Sequence, residues 1–197
     1  EAHQFQPALA KIQEIQTGKK KMSPYETAQI FNLQAYTYYL MEDYPKSIAA
    51  YAKVLQQPEL PEALQQSTLK TLAQLHFTIE DYEKALETIN KLMAVIAEPS
   101  PDIYMLQGQA YFQMGQFEKA LGPIKTALEM HRAQGNVPKE NWLLLLRVIY
   151  WEMKDFPNML IVIEELIQEY PKDTYVLTLA GVYSELGDTK KQLALTE

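Results

Sequence analysis

The chain has 197 residues, a formal net charge of −7, a hydrophobic content of 47% and no cysteine. The missing cysteine excludes disulfides, thiol nucleophiles and thiolate metal ligands, and the negative charge argues against a nucleic-acid partner. No apolar stretch approaches the roughly 18 residues that cross a bilayer, so membrane insertion is not expected.

The predicted elements are helices that recur along the chain with a nearly constant period. The phrase TIEDYEKALETINKLM, residues 78–93, returns in similar form as QMGQFEKALGPIKTAL, residues 113–128. The aromatic position of this phrase recurs as Phe5, Tyr44, Tyr82, Phe117 and Phe156, with Thr189 in the same place at the end. The successive spacings are 39, 38, 35, 39 and 33 residues. A period of this size is typical of a solenoid.

Each period is interpreted as two helices joined by a short turn. A small residue usually follows the aromatic by three positions, and a tyrosine or histidine lies six positions before it, preceded by another small residue. Spacings of three and four place these residues on one helical face. In this pattern His76 takes a tyrosine position, which predicts a core residue with one hydrogen-bond partner. Because a lone hairpin cannot bury its apolar face, neighbouring hairpins must stack.

In chain order, a second helix alone is expected in residues 1–22, and four complete repeats follow at 28–61, 66–99, 101–134 and 140–172. A truncated repeat is expected at 173–197. The period resumes after every Pro- or Gly-containing connection, so one solenoid domain is predicted. Both ends fall within a hairpin, from which we expect a fragment of a longer protein.

Two departures from the pattern fall in the fourth complete repeat, where Arg147 and Met159 replace small residues. They predict a local change in helix spacing. Three accounts of Arg147 remain open: its head reaches water over an apolar stem, it pairs with Glu164, or it anchors an acidic partner group. In the turns, Gly115 and Gly187 predict left-handed residues at helix ends.

Residues 102–130, DIYMLQGQAYFQMGQFEKALGPIKTALEM, resemble the tetratricopeptide repeat family. The family pattern of aromatic, glycine, tyrosine, turn glycine, aromatic and alanine is met by Tyr104, Gly108, Tyr111, Gly115, Phe117 and Ala120. The resemblance covers nearly the whole chain. It implies an all-α fold, namely a right-handed superhelical solenoid of antiparallel helix–turn–helix repeats whose first helices line a concave face.

The positions expected on this concave face form an aromatic stripe flanked by amides and aliphatics. The predicted partner-binding residues are Asn32, Tyr36, Tyr39, Lys70, Gln74, Phe77, Met105, Gln109, Phe112, Leu144 and Trp151. Aromatic rings offer a large contact area at low entropic cost, and amides can pair with a peptide backbone. Two interpretations stay open, because the rings can equally pack against the neighbouring hairpin as part of the core.

The sequence carries no catalytic signature. His3, His76 and His131 are scattered, and no metalloprotease, serine-hydrolase or phosphate-loop motif is present. We therefore predict a non-enzyme without metal or cofactor. Two classes of function remain: an adaptor that binds a protein or an extended peptide on the concave face, and a structural subunit that self-associates or scaffolds a complex through solenoid ends and edges.

Residues 143–195 also resemble bacterial repeat proteins encoded beside TonB-type energy-transduction systems. That resemblance implies a periplasmic component of an uptake system, and it favours the periplasm over the cytoplasm as the compartment. The identity of the partner is not predicted.

Overall fold

The computed structural model describes residues 5–18 and 21–187, and within these ranges it contains ten α-helices and no strand. The helices are α1 Gln6–Thr17, α2 Pro24–Leu40, α3 Tyr44–Leu55, α4 Glu62–Thr78, α5 Tyr82–Val95, α6 Pro101–Gln113, α7 Phe117–Ala133, α8 Glu140–Glu152, α9 Phe156–Glu169 and α10 Asp173–Glu185. This architecture confirms the predicted all-α helical repeat solenoid. The chain divides into two compact units, Glu1–Glu98 and Pro99–Glu197, and the single continuous domain stays a prediction. Thr189 and the end of the truncated repeat lie outside the described residues.

The first unit contains α1 and the hairpins α2–α3 and α4–α5. Helix α2 begins at a capping box, in which the backbone N–H of Glu26 donates to Ser23 Oγ at 3.2 Å and that of Ser23 donates to Glu26 Oε2 at 2.8 Å. The helix therefore starts at Pro24, four residues before the predicted repeat boundary. At the α2–α3 crossing, the buried Ser47 hydroxyl donates to the Ala35 carbonyl at 2.8 Å.

The second unit contains the hairpins α6–α7 and α8–α9, followed by α10. Helices α6 and α7 approach closely because Gly108 faces Ile124, and a Cβ added at Gly108 would lie 2.3 Å from Ile124 Cγ1. Ala120, the predicted small residue of α7, is fully buried. The core of this unit continues through Leu143, Ile149, Ile163, Leu166 and Val182.

The turns inside the hairpins share one geometry. The residue after each first helix's C-cap is left-handed at Glu42, Glu80, Gly115, Lys154 and Gly187, with φ between 57° and 72°. In the fourth repeat, the N–H of Asp155 donates to the Tyr150 carbonyl at 2.8 Å and that of Lys154 to the Trp151 carbonyl at 3.0 Å. These two bonds form a Schellman motif, which satisfies carbonyls at the end of the helix. The left-handed conformation predicted at Gly115 and Gly187 is confirmed, and three other turns adopt it without glycine.

The second helices begin where the recurring aromatic predicts. Tyr44, Tyr82, Phe117 and Phe156 are the first residues of α3, α5, α7 and α9. The residue three positions later is buried in each of these helices. Ala8, which holds that position on α1, is exposed, because no helix before α1 covers it among the described residues.

Polar contacts connect alternate helices within the second unit. Arg132 Nη2 lies 2.6 and 2.7 Å from the two carboxylate oxygens of Glu165 and so links α7 to α9. Glu140, at the start of α8, accepts hydrogen bonds from Lys172 and from the Tyr175 hydroxyl of α10. Exposed ion pairs contribute at most about 1 kcal/mol each, so apolar packing carries most of the stability.

Candidate functional site

The first unit brings three predicted site residues into one cavity. Tyr36 and Tyr39 of α2 are 50% and 45% exposed, and Gln74 of α4 is exposed beside them. This cavity has a volume of about 290 Å³, and we name it the tyrosine pocket. Its lining is Tyr36, Tyr39, Tyr51, Thr71, Gln74, Leu75 and Thr78. The other predicted residues of this unit, Asn32, Lys70 and Phe77, lie outside the lining.

The tyrosine pocket combines aromatic walls with neutral hydrogen-bonding groups. The rings of Tyr36 and Tyr39 stack with centroids 6.4 Å apart and planes 18° from parallel. Tyr51 is only 6% exposed, and burial, followed by the nearby Tyr36 and Tyr39, raises the pKa of its hydroxyl. The hydroxyl therefore stays protonated at neutral pH. This set can stack on apolar or planar groups and can donate and accept hydrogen bonds.

Sequence reasoning missed four residues of this lining, namely Tyr51, Thr71, Leu75 and Thr78. Thr71 and Thr78 lie three residues before and four after Gln74 on α4, so helical spacing alone could have found them. Tyr51 comes from α3, a second helix. The sequence pattern assigned only first helices to the surface and contained no signal for this residue.

The predicted aromatic stripe has a packing role inside each hairpin. Its rings contact the first residue of the following helix, with centroid distances of 6.2 Å for Tyr39–Tyr44, 5.8 Å for Phe77–Tyr82, 5.8 Å for Phe112–Phe117 and 5.9 Å for Trp151–Phe156. Phe77 and Phe112 are half-buried by these contacts. Tyr39 and Trp151 make the same contact yet remain 45% and 39% exposed.

The predicted surface position of Met105 is wrong. Met105 is 3% exposed and belongs to the core cluster that also contains Trp142 and Leu146. In an antiparallel hairpin the start of α6 lies beside the end of α7, so an apolar residue in this part of α6 is covered. Gln109, Phe112 and Leu144 are half-buried, and they lie outside the cavity of this unit.

The second unit contains its own cavity, of about 420 Å³, which we name the arginine pocket. It is lined by Arg147, Val148, Trp151, Met159, Thr178, Gly181, Val182 and Glu185, from α8, α9 and α10. Both departures from the repeat pattern, Arg147 and Met159, therefore lie in its wall. The predicted pair between Arg147 and Glu164 is absent among the described residues, and Glu164 is exposed. Arg147 Nε is buried and lacks a hydrogen-bond partner there.

His76 lies in the core of the first unit, as predicted. It is 6% exposed, and desolvation lowers the pKa of its imidazole. Its Nδ1 has no hydrogen-bond partner within the part of the chain that the structure describes. The described residues contain no group of three or more His, Cys, Asp or Glu side chains that could hold a metal ion. Nor do they include a helix both long and apolar enough to cross a membrane.

Comparison with known proteins connects this architecture to a class. Residues 101–130 match the family model of the tetratricopeptide repeat. The MamA protein has a similar crystal structure, with 19% identity, a TM-score of 0.71 and coverage of 87% of this chain and 88% of that one. MamA from Desulfovibrio magneticus RS-1, from residue 41 to its end, is 10% identical with a TM-score of 0.68, over 88% and 93% of the two chains.

A third similar structure is YrrB, described as a TPR protein with an unusual peptide-binding site. It is 14% identical with a TM-score of 0.66, and the similarity covers 99% of this chain and 90% of YrrB. These identities are low, so the likeness concerns the fold. No curated protein sequence matches the chain.

The fold thus defines an all-α helical-repeat solenoid, a class of protein that buries its core between stacked hairpins. More particularly, residues 101–130 are similar to a tetratricopeptide repeat. Repeats of this type typically mediate protein–protein interaction, and scaffolds built from them are generally non-catalytic.

Proposed function

We propose that this protein is a non-catalytic adaptor that binds an extended peptide segment of a protein partner on the faces of its first helices. The observation that carries the proposal is the tyrosine pocket. There two stacked and half-exposed tyrosines of α2 lie beside the exposed Gln74 of α4. Large aromatic side chains that remain exposed next to a concavity are typical anchors of protein interfaces.

The chemistry of the pocket suits a peptide. An extended segment presents unpaired backbone N–H and C=O groups. The side-chain amide of Gln74 can accept a hydrogen bond from a backbone N–H and can donate one to a backbone C=O. The rings of Tyr36 and Tyr39 can cover an apolar side chain of the same segment. Peptide binding by a protein of the same fold, YrrB, supports the choice of ligand class.

The remaining predicted residues belong to the proposal within each unit separately. In the first unit Asn32, Lys70 and Phe77 flank the pocket on α2 and α4, and in the second unit Gln109, Phe112, Leu144 and Trp151 hold the corresponding positions on α6 and α8. Met105 is not part of the proposal, since its side chain is buried.

The test begins with a peptide selected from a random display library on the wild-type protein. Tyr36→Ala is expected to weaken binding of that peptide by about 2 kcal/mol, or roughly thirtyfold, measured by fluorescence anisotropy. Tyr25→Ala is the matched control, because Tyr25 is also on α2, is also 50% exposed and lies outside the tyrosine pocket. Equal losses for the two variants, or no loss for either, would refute the proposed surface.

Self-association through solenoid ends and edges is the competing function. Light scattering of the full-length protein separates the two. A discrete homo-oligomer that selects no peptide from the library would favour a structural subunit over an adaptor.

A finer proposal concerns the cellular setting. The resemblance of residues 143–195 to proteins encoded beside TonB-type systems supports a bacterial adaptor in the periplasm that assists uptake. Osmotic-shock fractionation of the source cells with a specific antibody tests the compartment. Recovery of the protein with cytoplasmic markers alone would refute this setting and leave peptide binding untouched.

A further inference from the structure

The arginine pocket lies where the repeat pattern is broken. The residue three positions before the tyrosine position is Ala35, Ala73, Gly108 and Ala180 in the other repeats, and it is Arg147 in α8. Opposite it, Met159 replaces the small residue of the second helix and is 2% exposed. Two long side chains thus occupy a crossing that two small residues make elsewhere, and both line the cavity.

Arg147 makes no ion pair with another described residue. Its side chain is half-buried, and its Nε is buried without a hydrogen-bond partner. Arg132, the other arginine of the sequence, contacts both carboxylate oxygens of Glu165 at 2.6 and 2.7 Å. A guanidinium stays protonated in proteins, and burying one of its N–H donors without a partner is costly. Its fork of N–H donors matches a carboxylate in two parallel hydrogen bonds.

The other residues of the lining limit the kind of ligand that the arginine pocket can bind. Val148, Trp151 and Val182 make the walls largely apolar, which strengthens a charge–charge contact inside the cavity. Glu185 lines the same cavity and is exposed. One guanidinium beside one carboxylate suits a monoanion and disfavours a doubly charged phosphate. The overall charge of −7 is screened beyond roughly 8 Å at physiological salt, whereas the charge of the half-buried Arg147 is screened less inside the cavity.

We propose that Arg147 binds the side-chain carboxylate of an acidic residue that sits between apolar residues of a partner peptide. The inference rests on the proposed function and adds the chemistry of one residue of the ligand. Arg147 is half-buried whereas Trp151 and Glu185 of the same lining are exposed, so we expect a glutamate side chain to enter the cavity while its backbone stays outside. A chain terminus would instead carry its last peptide group into the cavity. There the Thr178 hydroxyl already donates to the Thr174 carbonyl at 2.7 Å.

The experiment uses three short peptides on the full chain. The first is acetyl-Ala-Leu-Glu-Leu-Ala-amide, the second has Gln in place of Glu, and the third is the Gln peptide with a free C-terminal carboxylate. The readouts are the two arginine Nε–H resonances and the indole N–H resonances in a nitrogen-15 correlation spectrum. Arg132 serves as the internal control, since its guanidinium is already paired.

The Glu peptide is expected to shift the Arg147 and Trp151 resonances, to leave Arg132 unmoved, and to bind at least about tenfold more tightly than the Gln peptide. Equal affinity of the Glu and Gln peptides would overturn the proposal. So would a free-carboxylate peptide that matches the Glu peptide, because the group recognised would then be a chain terminus.

Variants of Arg147 and Glu185 separate the effect of charge on peptide binding from an effect on folding. Arg147→Gln should reduce the Glu-over-Gln preference to about one, and Arg147→Lys should retain part of it as a point charge. Glu185→Gln should tighten the Glu peptide by about two- to fivefold and leave the Gln peptide unchanged, because it removes a like charge at an exposed position. A Glu185→Gln variant that weakens the Glu peptide would contradict the assignment even if Arg147→Gln failed to fold.

The experiments distinguish a failure of the proposed peptide binding at the tyrosine pocket from a failure of the proposed carboxylate binding at Arg147. Tyr36→Ala tests the first unit, and the Arg147 resonance reports on the second unit by itself.

Discussion

The ring of Trp151 packs edge-on against the ring of Phe156, with centroids 5.9 Å apart and planes inclined by 71°. The two residues lie on either side of the turn that joins α8 to α9. The same pair position is aromatic in three other hairpins, so a ring contact across the turn recurs through the solenoid. The rings of the predicted stripe therefore pack within each hairpin, and the part of each ring that stays exposed is available to a partner.

The ring contact predicts energetic coupling between Phe112 and Phe117. Each single alanine variant should lower the free energy of unfolding, and the double variant should lower it by less than the sum. The expected coupling is about 0.5–1.5 kcal/mol, the usual range for an aromatic pair. Urea denaturation of the wild type, both single variants and the double variant measures it. Strict additivity would show that the rings are neighbours without an energetic contact.

The left-handed turn at Lys154 predicts that glycine is favoured over alanine at this position. Its φ is 57°, and the equivalent Gly115 has φ of 69°. A side chain in this conformation costs roughly 1 kcal/mol relative to glycine. Lys154→Gly should therefore be more stable than Lys154→Ala by about 1 kcal/mol in thermal or urea unfolding. The alanine variant is the control, because both changes remove the lysine ammonium, 4.8 Å from the Trp151 ring. Equal stabilities would contradict the geometry of this turn.

Two helical glycines are expected to respond to alanine in opposite ways. Gly108→Ala, where α6 and α7 approach closely, would place a Cβ 2.3 Å from Ile124 Cγ1, and overpacking should cost about 1–3 kcal/mol. Gly181, on α10, is exposed and has nothing within 4 Å of an added Cβ. Gly181→Ala should therefore stabilise the helix by about 0.5–1 kcal/mol. Thermal melts of the two variants check both signs, and a Gly108→Ala variant as stable as wild type would place the crossing elsewhere.

Burial of His76 predicts a pH-dependent stability. Desolvation lowers the pKa of the folded imidazole, whereas the unfolded chain takes up its proton near the ordinary value of 6.5. The contribution of neutral His76 to the free energy of unfolding is therefore complete above pH 6.5. It is lost as the pH falls from 6.5 towards the folded pKa. His76→Phe should remove this part of the slope. It should also raise stability, since Nδ1 lacks a partner among the described residues.

The measurement for His76 is urea denaturation at about pH 7.5 and about pH 5.5 for both proteins. The wild type should lose more stability between the two values than His76→Phe. An equal loss in both proteins would mean that His76 does not titrate differently in the folded state.

The sequence by itself determined where the hairpins turn and where their second helices begin. Asp43, Asp81 and Asp155 accept a backbone hydrogen bond from a residue three positions later, and the next residue starts the helix. These interactions join residues that are close in the sequence, so a recurring spacing of aromatic, small and turn residues is enough to predict them.

Only the tertiary structure decided which side chains face outward and which cavities they line. Met105 is covered and Ala8 is exposed, although both fit their predicted columns. Tyr51 enters the tyrosine pocket from a second helix, and Arg147 lines a cavity with residues more than thirty positions away, such as Glu185. Exposure depends on which helices pack over a position, and those helices come from distant parts of the chain. Local periodicity fixes the phase of each helix but not the cover that its neighbours provide.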